Sequence, residues 1–222
     1  MKALVADTKP AKGPAPAEPI RDAERTKAAI LQAALDEFAE KGLAGARVDT
    51  IAEQSGANKR MLYYYFGNKE DLYVAVLERV YGAMRQTESE LDLTHLAPFE
   101  ALQRLVEFKF DYYLKNPVVI RILAGENLHE AKFLKRSKHL RDMHVSLVES
   151  LNTVLKAGRK LGIMKPDIDP VQLYISIAGL SYFYFANSAT LSTAFDRALG
   201  SPAEQKRRRA HAVEVILSYV RI

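Results

Sequence analysis

The sequence predicts an all-α fold, and three observations carry that prediction. From Arg25 onward apolar residues recur at spacings of three and four, glycines and prolines punctuate these stretches, and no sustained alternation of apolar and polar residues marks a strand. A chain of 222 residues, 48% of them hydrophobic, is long enough to bury real cores without covalent staples.

The elements follow in chain order. Residues 1–24 place Pro10, Pro14, Pro16 and Pro19 among alanines and charges. That composition offers too little apolar surface to offset the entropy of ordering, and it reads as a disordered arm. Asp7, Lys9, Pro10 and Lys12 interrupt the compact apolar stretch that a secretory signal needs. The first helix is expected over about 25–41, burying Ile30, Ala34 and Phe38 on one stripe and stopping at Gly42 in a left-handed conformation. Two short helices follow over 48–55 and 59–66. A fourth starts at Lys69 and runs to about Glu90; Asn68 caps it, and Glu70 and Asp71 complement the positive end of its dipole. Further helices are expected at 97–115, 118–129, 137–162, 170–190 and 204–221, divided by Pro98, Pro117, Gly162 with Pro166, Pro170 and Pro202. The expected organisation is an arm (1–24), a helix-turn-helix unit (25–68) and a larger helical bundle (69–222).

Composition excludes several classes of function. Without cysteine there are no structural disulfides, thiolate metal sites or cysteine nucleophiles, which fits a reducing cytoplasm. The most apolar stretch, Ile175 to Leu191, is broken by Ser176, Ser181, Asn187 and Ser188, so no run approaches the roughly 18 to 20 residues that span a bilayer. A net charge of +5 suits a polyanionic partner, but 32 basic residues are set against 27 acidic ones, so charge alone argues little. The histidines form no His-Glu-x-x-His pattern, His139 and His144 are badly placed for one helical face, and the Glu126-x-x-His129 spacing has no second copy. Walker loop, nucleophile elbow and dinucleotide fingerprint are all missing. The reading is of a protein that is not an enzyme and that uses neither metal nor cofactor. A helical enzyme and a non-specific DNA-binding protein stay as remote alternatives.

The informative stretch is residues 48–72, VDTIAEQSGANKRMLYYYFGNKEDL. Ala52 is small where two helices cross closely, and Gly56 permits the sharp turn between them. Leu62 and Phe66 then share one face of the next helix, able to pack on Ile51 and Phe38. The other face carries Lys59, Arg60, Tyr63 and Tyr64, a surface suited to a phosphate-lined groove. Arginine can donate twice to a guanine edge, lysine can serve guanine or phosphate, and tyrosine can bond phosphate while its ring meets sugar or a thymine methyl. Lys69 adds a cation beside the exposed N–H groups of the following helix, together a phosphate anchor.

Ile51-Ala52, Gly56, Tyr63-Tyr64-Tyr65-Phe66 and Lys69-Glu70-Asp71-Leu72 stand in an order and spacing that resemble the TetR family of repressors, over about residues 25–75. That resemblance implies that Lys59 and Arg60 face bases, while Arg47, Tyr63, Tyr64, Tyr65 and Lys69 hold the DNA backbone. Two positions depart from the family pattern: Ala46 stands where a capping threonine is frequent, and Tyr65 where histidine is common. Without the cap, entry into the second helix is left to tertiary packing.

The resemblance further implies a homodimer on double-stranded palindromic operator DNA, released by a small-molecule effector held in the bundle, as a repressor or as an activator of the same fold. The last two long helices would form the dimer interface, with Leu173, Ile177, Leu180, Tyr184 and Leu191 on one and Val213, Ile216, Leu217 and Val220 on the other. The alternative is that these residues complete the protomer's own core. The basic run Lys206, Arg207, Arg208, Arg209 reads as a solvated face. Effector candidates are polar or aromatic residues that interrupt apolar helices: Phe108, Tyr112, Tyr113, Arg121, Glu126, Asn127, His144, Tyr174, Tyr182 and Asn187. Arg121 stands among Val118, Val119, Ile120, Ile122 and Leu123. It can meet an anionic effector, reach solvent or pair with Glu126.

Overall fold

A computed structural model describes residues 18–222, and among these residues the protein is all-α. Ten α-helices follow in order: α1 (Glu18–Gly45), α2 (Val48–Ser55), α3 (Lys59–Phe66), α4 (Lys69–Ser89), α5 (Pro98–Lys115), α6 (Pro117–Leu128), α7 (Lys138–Lys160), α8 (Pro170–Ala186), α9 (Ser188–Ala194) and α10 (Pro202–Val220). Short 3-10 turns at Leu93–His95 and Leu134–Arg136 precede α5 and α7.

Two boundaries differ from the sequence expectation. The first helix begins at Glu18 and not at Arg25, so residues 18–24 of the expected disordered arm are helical; residues 1–17 lie outside the described residues. Pro19 falls in the first turn, where its missing N–H has no helical partner to lose. Thr26 Oγ1 donates to Asp22 O (2.7 Å), which adds a local tie. The expected helix 170–190 divides at Asn187 into α8 and α9, because Asn187 leaves helical geometry (φ −115°, ψ 10°) and its side-chain amide donates to Phe183 O (2.9 Å). The first break falls where expected: Gly42 has φ 67° and ψ 171° within α1.

The core is laid out so that the N-terminal head and the bundle share apolar contact. One cluster joins Ile30, Phe38, Ile51 and Leu62 of the head to Leu72, Tyr73, Val76 and Leu77 of α4, Val119 and Ile122 of α6, and Phe133. Tyr73 sits at its centre, edge-on to Phe38 and to Phe133 with ring centroids 5.2 Å away in each case. Burial, then the nearby Glu126 carboxylate, pushes the Tyr73 phenol well above its ordinary range. A second cluster holds α5, α7, α8 and α10 together through Leu102, Leu105, Leu151, Leu155, Ile177 and Ile216.

Leu173, Ile177 and Tyr184 of α8, and Ile216 and Val220 of α10, belong to the protomer core. They were expected at a dimer seam, but α8 is apolar around its whole circumference, and composition could not say which side faces inward. The apolar stripe left outside is Val171, Ile175 and Phe183 on α8 with Val215 and Tyr219 on α10. The basic run on α10 is also not simply solvated. Arg209 donates to both carboxylate oxygens of Asp111 (2.8 Å each) and lies 3.0 Å from Glu107, while Arg208 donates to Leu180 O (2.9 Å). No helix among the described residues is long and apolar enough to cross a membrane.

Candidate functional site

The head is built from its turn residues upward. Gly56 ends α2 at φ 66°, a left-handed conformation that costs glycine little, and its N–H bonds Glu53 O. Asn58 caps α3, accepting from Met61 N (2.9 Å), and Asn68 caps α4, accepting from Asp71 N (3.0 Å). The missing side-chain cap at the start of α2 is replaced from elsewhere in the chain. Glu37 of α1 is buried and its carboxylate accepts from Arg47 N (3.0 Å), beside buried Ala46. Glu37→Ala is therefore expected to lower stability by about 1–2 kcal/mol, with Glu37→Gln losing less because its amide oxygen still accepts. Thermal unfolding of the three proteins checks this.

Leu62 is fully buried and Phe66 packs on the same cluster as Phe38 and Ile51, as the spacing predicted. That anchoring turns the opposite face of α3 outward. Tyr64 is 82% exposed and Tyr63 43%; Arg60 is exposed with no ion-pair partner among the described residues. Arg47, also exposed, stands at the entrance to α2.

Three of the expected contacts are already engaged within the chain. Lys59 Nζ lies 2.8 Å from Asp49 of α2, a pairing that raises the lysine pKa and lowers that of the carboxyl. Lys69 Nζ donates to Ala44 O (3.3 Å), tying the start of α4 to the end of α1. Tyr65 is half-buried, with Lys27 Nζ 5.5 Å from its ring centroid, so its ring serves packing against α1.

The expected effector residues divide into those the fold gathers and those it scatters. Tyr174, Tyr113 and Tyr182 converge in the bundle, Tyr113 and Tyr182 edge-on at 6.0 Å. Tyr174 OH accepts from Arg85 Nη2 (2.6 Å). Phe108 and Tyr112 line a separate cleft with Glu107, Asp111 and Arg209. Arg121 is exposed, so it reaches solvent and does not pair with Glu126. Glu126 is buried and accepts from Phe133 N (2.9 Å) and Leu134 N (2.7 Å), organising the connection between α6 and α7. Asn127 is exposed and donates to Leu123 O, and Asn187 caps α8. The side chain of His144 lies outside the described residues.

Sequence reasoning missed the charge at the centre of the bundle. Arg85 and Glu88 on α4 and Lys109 on α5 are all buried, Lys109 completely. Arg85 Nη1 contacts one oxygen of Glu88, and Lys109 Nζ lies 2.7 Å from the other. Lys109 Nζ is also 5.1 Å from the Tyr174 ring centroid. A readable signal existed. Met84 and Glu88 are four apart on α4, and Lys109 falls on the α5 stripe of Leu102, Leu105, Val106 and Phe110, so charges occupy positions that the helical period assigns to the core.

An all-α chain that presents Arg60, Lys59, Tyr63 and Tyr64 outward from the second helix of a helix-turn-helix, over a bundle with a buried charge cluster, is a DNA-binding transcription regulator. The chain belongs to the TetR family. Residues 30–76 match the family described as bacterial regulatory proteins, tetR family, and residues 98–216 match the tetracyclin repressor-like C-terminal domain. Over 173 residues the chain is 40% identical to the HTH-type transcriptional repressor NicS of Pseudomonas putida, covering 78% of this chain and 82% of that protein. It is 31% identical over 158 residues to the HTH-type transcriptional regulator RutR of Escherichia coli K12, covering 71% and 73% respectively. A solved structure of the transcriptional regulator SCO4942 from Streptomyces coelicolor superposes with a TM-score of 0.67 at 28% identity, covering 88% of this chain and 98% of that one.

Proposed function

We propose that the chain is a transcriptional repressor that binds a palindromic operator as a homodimer and leaves it when a small-molecule effector occupies the bundle. The observation that carries this reading is the outward face of α3, where Arg60 and Tyr64 are exposed while Leu62 anchors the helix from behind. In it, Arg60 and Lys59 meet base edges, Lys59 exchanging Asp49 for DNA, and Arg47, Tyr63, Tyr64 and Lys69 meet phosphates. Selecting bound sequences from a random DNA pool, then competing the winner against random duplex, tests it. A palindrome bound at least about a thousandfold more tightly than random DNA is expected, and equal binding overturns the reading.

Dimer formation on the exposed stripe of α8 and α10 supplies the second reading head. The coupling element is α4. Lys69 begins it and Arg85 lies sixteen residues on, roughly 24 Å along the axis at 1.5 Å per residue, so one rigid helix joins the head to the bundle centre. The connection between α6 and α7 grips the head end of that helix. Arg136 contacts Asp71 and lies 3.5 Å from Glu70, Lys132 lies 3.4 Å from Glu70, and Ser137 Oγ donates to Glu78 (2.6 Å). The Arg136 and Lys132 ion pairs are exposed and individually weak. Arg136→Ala is accordingly expected to speed amide exchange in the first turns of α4 by about two- to fivefold and leave α5 and α8 unchanged, as hydrogen exchange read by mass spectrometry would record.

A further inference from the structure

Arg85 and Glu88 line a cleft between α4 and α7, Lys109 is buried against Glu88, and the charges of the three do not cancel. Glu88 serves both partners, one oxygen to Arg85 and the other to Lys109. Arg85 and Lys109 are left with one positive charge in excess, which a buried site tolerates poorly without a further partner. The guanidinium edge is also incomplete. Among the described residues Arg85 spends Nη1 on Glu88 and Nη2 on Tyr174, while its buried Nε, like Glu88 Oε1, has no hydrogen-bond partner. The other buried carboxylates among the described residues, Glu37 and Glu126, each accept backbone N–H groups on other elements.

Arg85 and Glu88 open onto a cleft of about 490 Å³, within the range of small-molecule sites. Ser89, Ser146 and Ser150 bring hydroxyls to its walls and Leu147 an apolar contact. Asp92, a carboxylate at its rim, is paired with His95 at 2.6 Å.

We propose that this cleft takes a small organic molecule carrying one carboxylate, whose charge balances the excess and whose oxygen accepts from Arg85 Nε. The inference rests on the reading of the bundle as the effector-binding unit and names the chemical class of that effector. Charge sets the choice: an uncharged ligand leaves the excess in place, and a doubly charged phosphate replaces it with an excess of the opposite sign.

The test is calorimetric titration of the full-length protein with acetate, hexanoate, benzoate and phenylacetate, each beside its own amide, and with inorganic phosphate. At least one acid is expected to bind about tenfold or more tightly than its amide and than phosphate, and to raise the melting temperature. Arg85→Met is expected to remove that response while the free variant melts no lower than the parent, because Glu88 and Lys109 then form a balanced pair. A purely structural Arg85 would instead cost stability. If Arg85→Met does not fold, Arg85→Lys decides, since it keeps the charge and lacks the Nε edge. Acid binding should weaken at least about threefold in that variant, and unchanged affinity overturns the assignment. Failure of every acid, equal binding of acids and amides, or an unaltered response in Arg85→Met also overturns it. A labelled operator duplex in the same samples separates the two claims. An acid that binds without releasing DNA removes the release mechanism and leaves the site standing. Release by an uncharged compound where no acid binds does the reverse.

Discussion

Ile175→Glu is expected to leave the protomer folded, turn a dimer into a monomer and lower operator affinity by about 10²–10⁴-fold. Ile175 is 54% exposed and stands between Val171 and Phe183 on α8, beside Val215 and Tyr219 on α10. Within the protomer this stripe is solvated, so a carboxylate there costs the isolated chain little. Across a two-fold axis the same substitution places two carboxylates in an apolar seam, where each loses its hydration without a partner. The DNA consequence follows from the tether. While one head is bound, a linked second head samples its half-site at millimolar effective concentration, and a monomer has no such advantage. Sedimentation velocity reads the mass and fluorescence anisotropy the affinity. A variant that sediments as a dimer and holds operator like the parent would remove this face from the interface.

Arg60→Ala is expected to cost about 1–3 kcal/mol at each half-site, hence about 2–6 kcal/mol for a dimer on a palindrome, provided that the two sites act independently. The loss should be confined to the base pair that Arg60 reads: on duplexes changed at that pair, parent and variant should bind alike. Lys69→Ala is the informative contrast. It should weaken binding to every duplex alike and reduce the slope of log affinity against log salt by about two per dimer, one phosphate contact from each head. Because Lys69 also ties α4 to Ala44 O, its variant carries a small stability loss that Arg60→Ala does not share. Equal salt slopes for parent and Lys69→Ala would remove the phosphate contact. An Arg60→Ala protein with parental affinity for its selected operator would show that α3 does not read bases.

Local rules made the head legible. Ala52, Gly56, Leu62 and Asn68 act through neighbours a few residues away, so spacing alone located the crossing, the turn and the cap of α4, while the Asn58 cap of α3 emerged only with the structure. The same rules placed the remaining helix boundaries to within a few residues, apart from the early start of α1 and the break at Asn187. The bundle's function was less readable. Arg121 drew attention because it interrupts an apolar run, yet it emerges at the surface on α6. Arg85, Glu88 and Lys109 were not singled out by the sequence reading and are buried together from two different helices.

By itself the sequence determined the fold class, the helix order and the place of the helix-turn-helix, because turns, caps and a helical period are properties of short segments. Only the tertiary structure decided which side of the uniformly apolar α8 faces inward, that Glu37 caps α2 from ten residues away, and that three charges meet in the core. The physical reason is shared. Burial and ion pairing depend on which elements are brought together, and a buried charge is recognised only by the partner that makes its burial tolerable.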